Sequence, residues 1–412
     1  MSDPTGRLSV LNIKLAGFLL TLVGCGFSIS FCSAGLGIYI AGFILELALD
    51  KTRVRLRYPQ TAFLLPLLAS LLISLFISHY FKISLRGFWK FIEGFVLVYA
   101  AVDLIRTPKE LRLVISVLAG VFFMAALAGV WQDISGRDFI YFRPAINTAK
   151  DLPPRLTGPF KHYNDYATFL VPGFAFSLAL FIHAFSQKLS RQAFFSGLLL
   201  LALTYAVTRS LSRSAMVAIF ISLGFFSMFF RYRRAAFTGL LVLAIALWVI
   251  PSPISSRFKD IFSGSTPERI ILFKTSAAMI KAKPFFGLGL NTYSQYFPEF
   301  RPKDYPSLMY AHNSYMQMAS EIGLIGLFFY LLFIGALLWA SARSIVSCRS
   351  SEWKIVNIGV FCGVIGLLIN AFFESLLQSS QLRAFFWSLL GISCAVALNL
   401  LPKNTSTAPS KL

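Results

Sequence analysis

The sequence has few charged residues for its length and only five cysteines. Charged side chains make up 13% of the 412 residues, about half of their share in soluble globular proteins, and hydrophobic residues make up 57%. These proportions exclude an ordinary soluble enzyme, a disordered chain and a disulfide-rich secreted module. No two cysteines form a CxxC pair and all lie in or beside apolar runs, so they are interpreted as buried packing residues.

Acidic residues are scarce as well, with 17 Asp and Glu against 38 Lys and Arg. In a soluble chain the formal net charge of +21 would indicate nucleic acid as a partner. In a membrane protein, however, Lys and Arg gather in the loops that flank the spans. We therefore predict contacts with membrane lipids and none with nucleic acid.

Several catalytic motifs are missing from the sequence. There is no GxxxxGK[ST] phosphate loop, no GxSxG nucleophile elbow, and no cluster of His, Asp and Glu with metal-ligand spacing. ATP hydrolysis and a metal site are therefore disfavoured, and no cofactor is predicted. Any chemistry has to come from histidine and arginine.

Long apolar runs recur from one end of the sequence to the other. A helix needs about 20 mostly apolar residues to cross a membrane. The runs predict an all-α polytopic integral membrane protein with about 12 transmembrane helices. The predicted spans are 8–30, 31–49, 61–80, 84–105, 111–131, 166–187, 193–210, 213–230, 235–251, 323–345, 353–374 and 382–401.

Lys and Arg in the short loops predict the orientation of these spans. With the N-terminus inside, most of these residues fall on the cytoplasmic side, so both termini are predicted to be cytoplasmic. The short outer loops carry only Lys82, Arg86, Arg209, Arg213 and Arg383.

This topology divides the chain into five parts. They are spans 1–5 at 1–131, an outer loop at 132–165, spans 6–9 at 166–251, a large outer loop at 252–322, and spans 10–12 at 323–412. Both outer loops are basic, and long loops are exempt from the charge rule. A basic outer surface suits an anionic substrate, although attraction to lipid headgroups explains any single residue equally well.

The large outer loop contains a predicted amphipathic helix. Ser265 and Glu268 form a capping box, with Pro267 in the first turn, and Pro284 ends the helix. The apolar residues between them repeat at helical spacing as one stripe: Ile270, Phe273, Ala277 and Ile280. We expect this helix to lie along the outer membrane surface.

Arg269 lies in the first turn of this helix. Free N–H groups and the helix dipole make such an end an anion site, so Arg269 is interpreted as phosphate-binding. A surface arginine is equally often solvated without binding any anion. Arg213 is comparable, because it lies between Ser212 and Ser214 at the predicted outer start of the eighth span.

Two of the four histidines, His162 and His312, fall in the outer loops and are candidate bases. His312 is predicted in the first turn of a helix, whose positive end favours the neutral imidazole that a general base needs. Asn164 or Asp165 is the predicted N-cap of the sixth span.

Two further predictions concern pairs of residues. Gly287 and Gly289 lack the third glycine and the preceding strand of a dinucleotide fingerprint, so they predict a tight turn. Lys90 and Glu93 are three residues apart in an apolar run, which predicts a mutual ion pair.

Taken together, four of these motifs resemble the O-antigen ligase and polymerase superfamily of bacterial envelopes. They are Leu211-Ser212-Arg213-Ser214-Ala215, Glu268-Arg269, Pro284-Phe285-Phe286-Gly287-Leu288-Gly289, and His312-Asn313-Ser314-Tyr315 followed by Glu321-Ile322-Gly323-Leu324-Ile325-Gly326. Each motif is short, whereas their order and spacing are fairly specific. The part that carries them covers about residues 150–330.

The resemblance implies a metal-independent glycosyltransferase of the bacterial inner membrane, with its active site facing the periplasm. Such an enzyme takes a glycan from undecaprenyl pyrophosphate, and in the ligase branch the acceptor is lipid A–core. By position, His312 is implied as the base that deprotonates the acceptor, and Arg213 and Arg269 as the groups that hold the pyrophosphate. The further candidates for substrate binding are Arg155, Arg209, Lys274 and Asn313.

Other functions stay open at this point. The single large outer loop late in the chain favours the ligase branch over a polymerase of O-antigen or another surface polysaccharide, which uses the same donor. A lipid-linked glycan flippase or transporter would place its ionisable residues near the bilayer midplane, whereas the polar groups here gather outside it. A protein O-oligosaccharyltransferase is disfavoured, because such proteins often carry extra extracytoplasmic mass that this sequence lacks.

Overall fold

The computed structural model describes residues 4–49, 60–147, 153–230, 266–303, 305, 310–348 and 352–401, with positions 233–234, 238–239 and 241–242. Within these residues the chain forms helices, turns and two isolated β-bridges. The helices are α1 (Pro4–Phe27), α2 (Ile29–Leu49), α3 (Thr61–Phe76), α4 (Phe81–Leu104), α5 (Pro108–Ser135), α6 (Tyr163–Ser186), α7 (Ser190–Ser210), α8 (Arg213–Ser227), α9 (Thr266–Ala282), α10 (Tyr293–Phe300), α11 (Ser314–Ser347), α12 (Glu352–Asn370) and α13 (Ser380–Asn399).

The helices confirm the prediction of an all-α architecture. Eight of those in the described residues are long and apolar enough to cross a membrane: α1, α2, α5, α6, α7, α11, α12 and α13. Helices α3 and α8 are apolar but shorter. The predicted ninth span, 235–251, lies mostly outside the described residues, so the number of spans and their orientation stay predictions.

The core of the bundle is centred on α6, α12 and α13, which are the most buried of the long apolar helices. Trp387 of α13 is fully buried, and its ring contacts those of Phe95, Tyr330 and Phe333. A Cβ at Gly94 would lie 2.3 Å from the Trp387 Nε1 atom, so α4 approaches α13 closely only because it has glycine there. The five cysteines are all buried, as predicted.

The loop helix α9 spans Thr266–Ala282 and confirms the helix predicted in the large loop. The predicted N-cap, Ser265, lies outside the described residues. Ile270 and Phe273 of the apolar stripe are exposed, whereas Leu272 and Met279 are buried on another face. Because this second face packs towards α11, the stripe stays available for the membrane contact that the sequence predicts.

Helix α11 is broken at Gly323, where φ is 72°. A turn formed by residues 284–289 enters the break, and a Cβ at Gly323 would lie 2.1 Å from the Phe285 carbonyl oxygen. The backbone bonds that join the two are Leu324 N–H to the Pro284 carbonyl (2.7 Å), Leu288 N–H to the Ser320 carbonyl (2.9 Å) and Gly289 N–H to the Glu321 carbonyl (2.9 Å).

The predicted tight turn at Gly287 and Gly289 is confirmed, since both residues have positive φ. The predicted ion pair between Lys90 and Glu93 is wrong. The ammonium of Lys90 donates to Asn291 Oδ1 (2.6 Å), and Glu93 accepts from Arg383 of α13 (3.1 Å). Lys90 and Glu93 therefore bind residues from other parts of the chain and not each other.

Candidate functional site

A cavity of about 230 Å³ lies at one end of the bundle, where α6, α8 and α9 begin. The three residues predicted to be catalytic, His312, Arg213 and Arg269, all line it, and so does Arg155. These residues come from four separate parts of the chain. The structure therefore brings together the histidine and the arginines that the sequence singles out.

Each of the two predicted pyrophosphate-binding arginines stands at the start of a helix. Arg213 is the first residue of α8, as predicted, and follows the N-cap Ser212. Arg269 lies in the first turn of α9, and its side chain is 40% exposed. The helix dipole favours an anion at both positions.

The sequence predicted His312 in the first turn of a helix, and this prediction is wrong, because His312 precedes α11. The N-cap is Asn313, whose Oδ1 atom accepts hydrogen bonds from the N–H groups of Tyr315 and Met316, both at 3.0 Å. The helix therefore begins at Ser314, and His312 adopts the left-handed conformation with φ of 48°. The Asn313 side chain caps the helix, and the structure does not bring it into the cavity wall.

Glu374 is the site residue that the sequence reasoning missed. Its carboxylate is 9% exposed and lies 3.3 Å from His312 Nδ1, 2.7 Å from Asn164 Nδ2 and 3.7 Å from Arg269 Nη2. The segment that carries it is held against the start of α11, since Ser314 Oγ donates to the Glu374 carbonyl at 2.8 Å. One feature of the sequence could have indicated it, because Glu374 is an acidic residue at the predicted outer end of the eleventh span.

Arg155 is nearly buried, at 3% exposure, and its guanidinium bonds to the protein itself. Nε donates to the Ser210 carbonyl (2.7 Å) and Nη2 to the Leu211 carbonyl (3.1 Å). The guanidinium carbon also lies 3.3 Å from the centre of the Tyr163 ring. Arg155 therefore holds the turn from which Arg213 projects.

Two other predicted substrate-binding residues do not line the cavity. Arg209, near the end of α7, forms an ion pair with Asp133, with Nε and Oδ2 at 2.8 Å. Lys274 is exposed on α9. Arg209 and Lys274 are close in sequence to Arg213 and Arg269, but they do not line the same cavity.

His162 also lines the cavity, and it is the N-cap of α6 in place of the predicted Asn164 or Asp165. Its Nδ1 atom accepts a hydrogen bond from the Asn164 N–H at 3.2 Å. Burial lowers the pKa of His162 and outweighs the nearby Glu374 carboxylate, which acts in the opposite direction. The imidazole is therefore neutral near pH 7 and acts as an acceptor in the cap.

The cavity has a cationic wall. Its lining includes three arginines, Arg155, Arg213 and Arg269, and two acidic residues, Glu268 and Glu374. Guanidinium groups match phosphate oxygens in geometry and charge. In the part of the chain that the structure describes, no three His, Cys, Asp or Glu side chains are grouped so that they could hold a metal ion.

Comparison with known proteins agrees with the motifs. Residues 197–331 match the family model described as O-antigen ligase, and no curated protein matches the chain. The matched range contains Arg213, Arg269 and His312, whereas Arg155 and Glu374 lie outside it. The resemblance in the motifs is thereby confirmed over residues 197–331, the range that matches the O-antigen ligase family model.

Proposed function

We propose that this protein is an O-antigen ligase, a glycosyltransferase that moves O-antigen polysaccharide from undecaprenyl pyrophosphate to lipid A–core. The reaction takes place at the periplasmic face of the bacterial inner membrane. The observation that carries the proposal is the shared cavity of His312, Arg213 and Arg269. All three lie inside the O-antigen ligase family domain.

In this proposal Arg213 and Arg269 bind the pyrophosphate of the donor. Negative charge grows on the diphosphate as the glycan leaves it, and guanidinium groups in a fixed cavity stabilise that charge. The two helix starts add their dipoles. With these cations in place, the proposed reaction proceeds without a metal.

His312 acts as the general base. The contact of its Nδ1 atom with Glu374 favours the tautomer that donates to the carboxylate, which leaves the Nε2 lone pair for the acceptor hydroxyl. The acceptor oxygen attacks the first carbon of the glycan, its proton moves to Nε2, and the bond to the pyrophosphate oxygen breaks. Glu374 then stabilises the imidazolium that forms.

The test is a gene deletion in the host, followed by gel analysis of lipopolysaccharide and of the undecaprenyl-linked glycans. We expect the long-chain ladder to vanish from lipid A–core while long glycans accumulate on the carrier, and wild-type protein to restore the ladder. His312→Ala should fail to restore it. His79→Ala is the matched control, because His79 is exposed and does not line the cavity.

The same gel separates the other functions. Lipid A–core that carries a single repeat would identify a polymerase, which uses the same donor. The proposal would be contradicted if the deletion left both lipopolysaccharide and the undecaprenyl-linked glycans normal. It would also be contradicted if His312→Ala, at wild-type protein levels in the membrane, restored the ladder. Either result would favour a transporter.

A further inference from the structure

A second and larger cavity lies at the opposite end of the bundle. It is an open cleft of about 810 Å³ between α5, α6, α7 and α12. The helices themselves show that the two cavities are far apart. Helix α7 begins beside the cleft and ends at Ser210, whose carbonyl binds Arg155, and α12 runs from the cleft to Asn370, four residues before Glu374.

The floor of the cleft is apolar and partly made of small residues. Ile115, Phe123 and Leu199 contribute aliphatic and aromatic surface, and Ala119 and Gly120 keep the middle open. A Cβ added at Gly120 would meet no atom within 4 Å. Cavities of this size and character bind apolar ligands, with a few polar groups at the edge that fix their orientation.

The rim of the cleft is basic. Arg112 of α5 is 67% exposed and lies 3.6 Å from Glu352, with its guanidinium 5.5 Å from the centre of the Trp353 ring. The exposed residues Lys109, Lys188 and Arg191 lie on the same connecting segments or first turns. The acidic residues there are Glu352 and Glu110, and Glu110 is bound in the capping box of α5.

Three helices also begin at this rim: α5, α7 and α12. The N-cap of α7, Leu189, provides no side-chain hydrogen bond to the first turn. Positive helix ends therefore add to the basic side chains, and the rim favours a negatively charged group.

We propose that this cleft binds one anionic glycerophospholipid. One acyl chain lies in the cleft and the phosphate lies at the rim beside Arg112. Basic pockets between transmembrane helices on the cytoplasmic side bind anionic headgroups, and the Lys and Arg distribution predicts that this end is cytoplasmic. The lipid is distinct from the proposed glycan donor, because its headgroup binds at the other end of the bundle.

The test is a titration of delipidated full-length protein with phosphatidylglycerol and with phosphatidylcholine, followed by native mass spectrometry. We expect one phosphatidylglycerol to be retained well above the level of phosphatidylcholine. Gly120→Trp should abolish this selective retention, because the indole fills the cleft. Arg112→Gln should weaken it about fivefold, the factor for about 1 kcal/mol per basic residue near an anionic headgroup.

Matched controls separate the cleft from the general surface. Gly335 of α11 is another exposed helical glycine with open space around its Cβ position, so Gly335→Trp should leave retention unchanged. Arg343→Gln removes one exposed cation from the same end, outside the cleft. Equal retention of both lipids by wild type, or equal losses in cleft and control variants, would overturn the proposal and leave only non-selective surface lipid.

Discussion

Two clusters of ionisable residues in this protein are built in opposite ways. In the first, the Lys14 ammonium lies between Glu46 (2.5 Å) and Asp103 (2.6 Å), and the Lys14 side chain is 1% exposed. In the second, around Glu374, the contacts to His312 and Arg269 are 3.3 Å and 3.7 Å long. These two partners are 41% and 40% exposed.

The difference predicts different roles for the two clusters. The Lys14 cluster joins α1, α2 and α4, and it buries its charges against one another. The Glu374 cluster opens into a cavity, where the half-exposed side chains of His312 and Arg269 can meet a ligand. Substitutions in the first should therefore change stability, and substitutions in the second should change activity.

The largest effect is expected from Lys14→Met. This change removes the buried cation that Asp103 and Glu46 share, so that Asp103 is left with its half-exposed second cationic partner, Arg106. Breaking a buried ion pair costs about 3–5 kcal/mol. Thermal unfolding of the purified protein should show a clear loss of stability, with unchanged transfer activity per folded molecule. Adding Asp103→Asn and Glu46→Gln should recover part of the loss, and an unchanged unfolding temperature would contradict a structural role.

The next effect is expected from Arg213→Ala and Arg269→Ala. Removal of one preorganised donor to a developing anion lowers the turnover rate on the order of 100- to 1,000-fold. The unfolding temperature should hardly change. Arg209→Ala is the matched control, because Arg209 pairs with Asp133 away from the cavity and should retain most of the activity. A loss in Arg209→Ala equal to that in Arg213→Ala would contradict the assignment.

A smaller loss is expected from Glu374→Gln, which keeps the shape of the side chain and removes its charge. We expect kcat to fall on the order of 100-fold, because the base loses the group that orients it. KM for the lipid-linked donor should change little. Glu374→Asp should restore part of the rate, and a change confined to KM would instead assign Glu374 to donor binding.

The smallest effect concerns His162 and pH. Its pKa is lower in the folded state than in the unfolded chain, so acid favours unfolding as the pH falls through the unfolded value near 6.5. His162→Asn keeps an oxygen acceptor for the cap of α6 and removes the titration. Unfolding temperatures measured from about pH 8 to about pH 5.5 should therefore fall less steeply in the variant. If the unfolding temperatures of the wild type and the variant fall equally with pH, His162 does not contribute to the pH dependence of stability.

Local features of the fold and site could be predicted because they depend on neighbouring residues. The start of α8 at Arg213 and the turn at Gly287 follow from side chains within a few positions. The prediction for His312 placed it inside the first turn of a helix, because the next residue, Asn313, was not identified as the N-cap of α11.

Partner choice between distant segments could not be predicted in the same way. His312 meets Glu374 across 62 positions of the chain, and Glu93 meets Arg383 across 290. Arg209 likewise pairs with Asp133 on α5. These pairs depend on how helices pack side by side, which apolar periodicity in a single sequence does not specify. The motifs could still identify the cavity, because each one marks a helix end or a turn on the same side.

The break in α11 at Gly323 has a consequence for protein engineering. The turn at 284–289 supplies backbone partners to both sides of the break, so the loop and the helix form one continuous hydrogen-bonded unit. Exchange of the loop alone between related proteins would leave buried backbone groups unmatched. A chimera should therefore transplant residues 284–289 together with the 320–325 segment, as a single module.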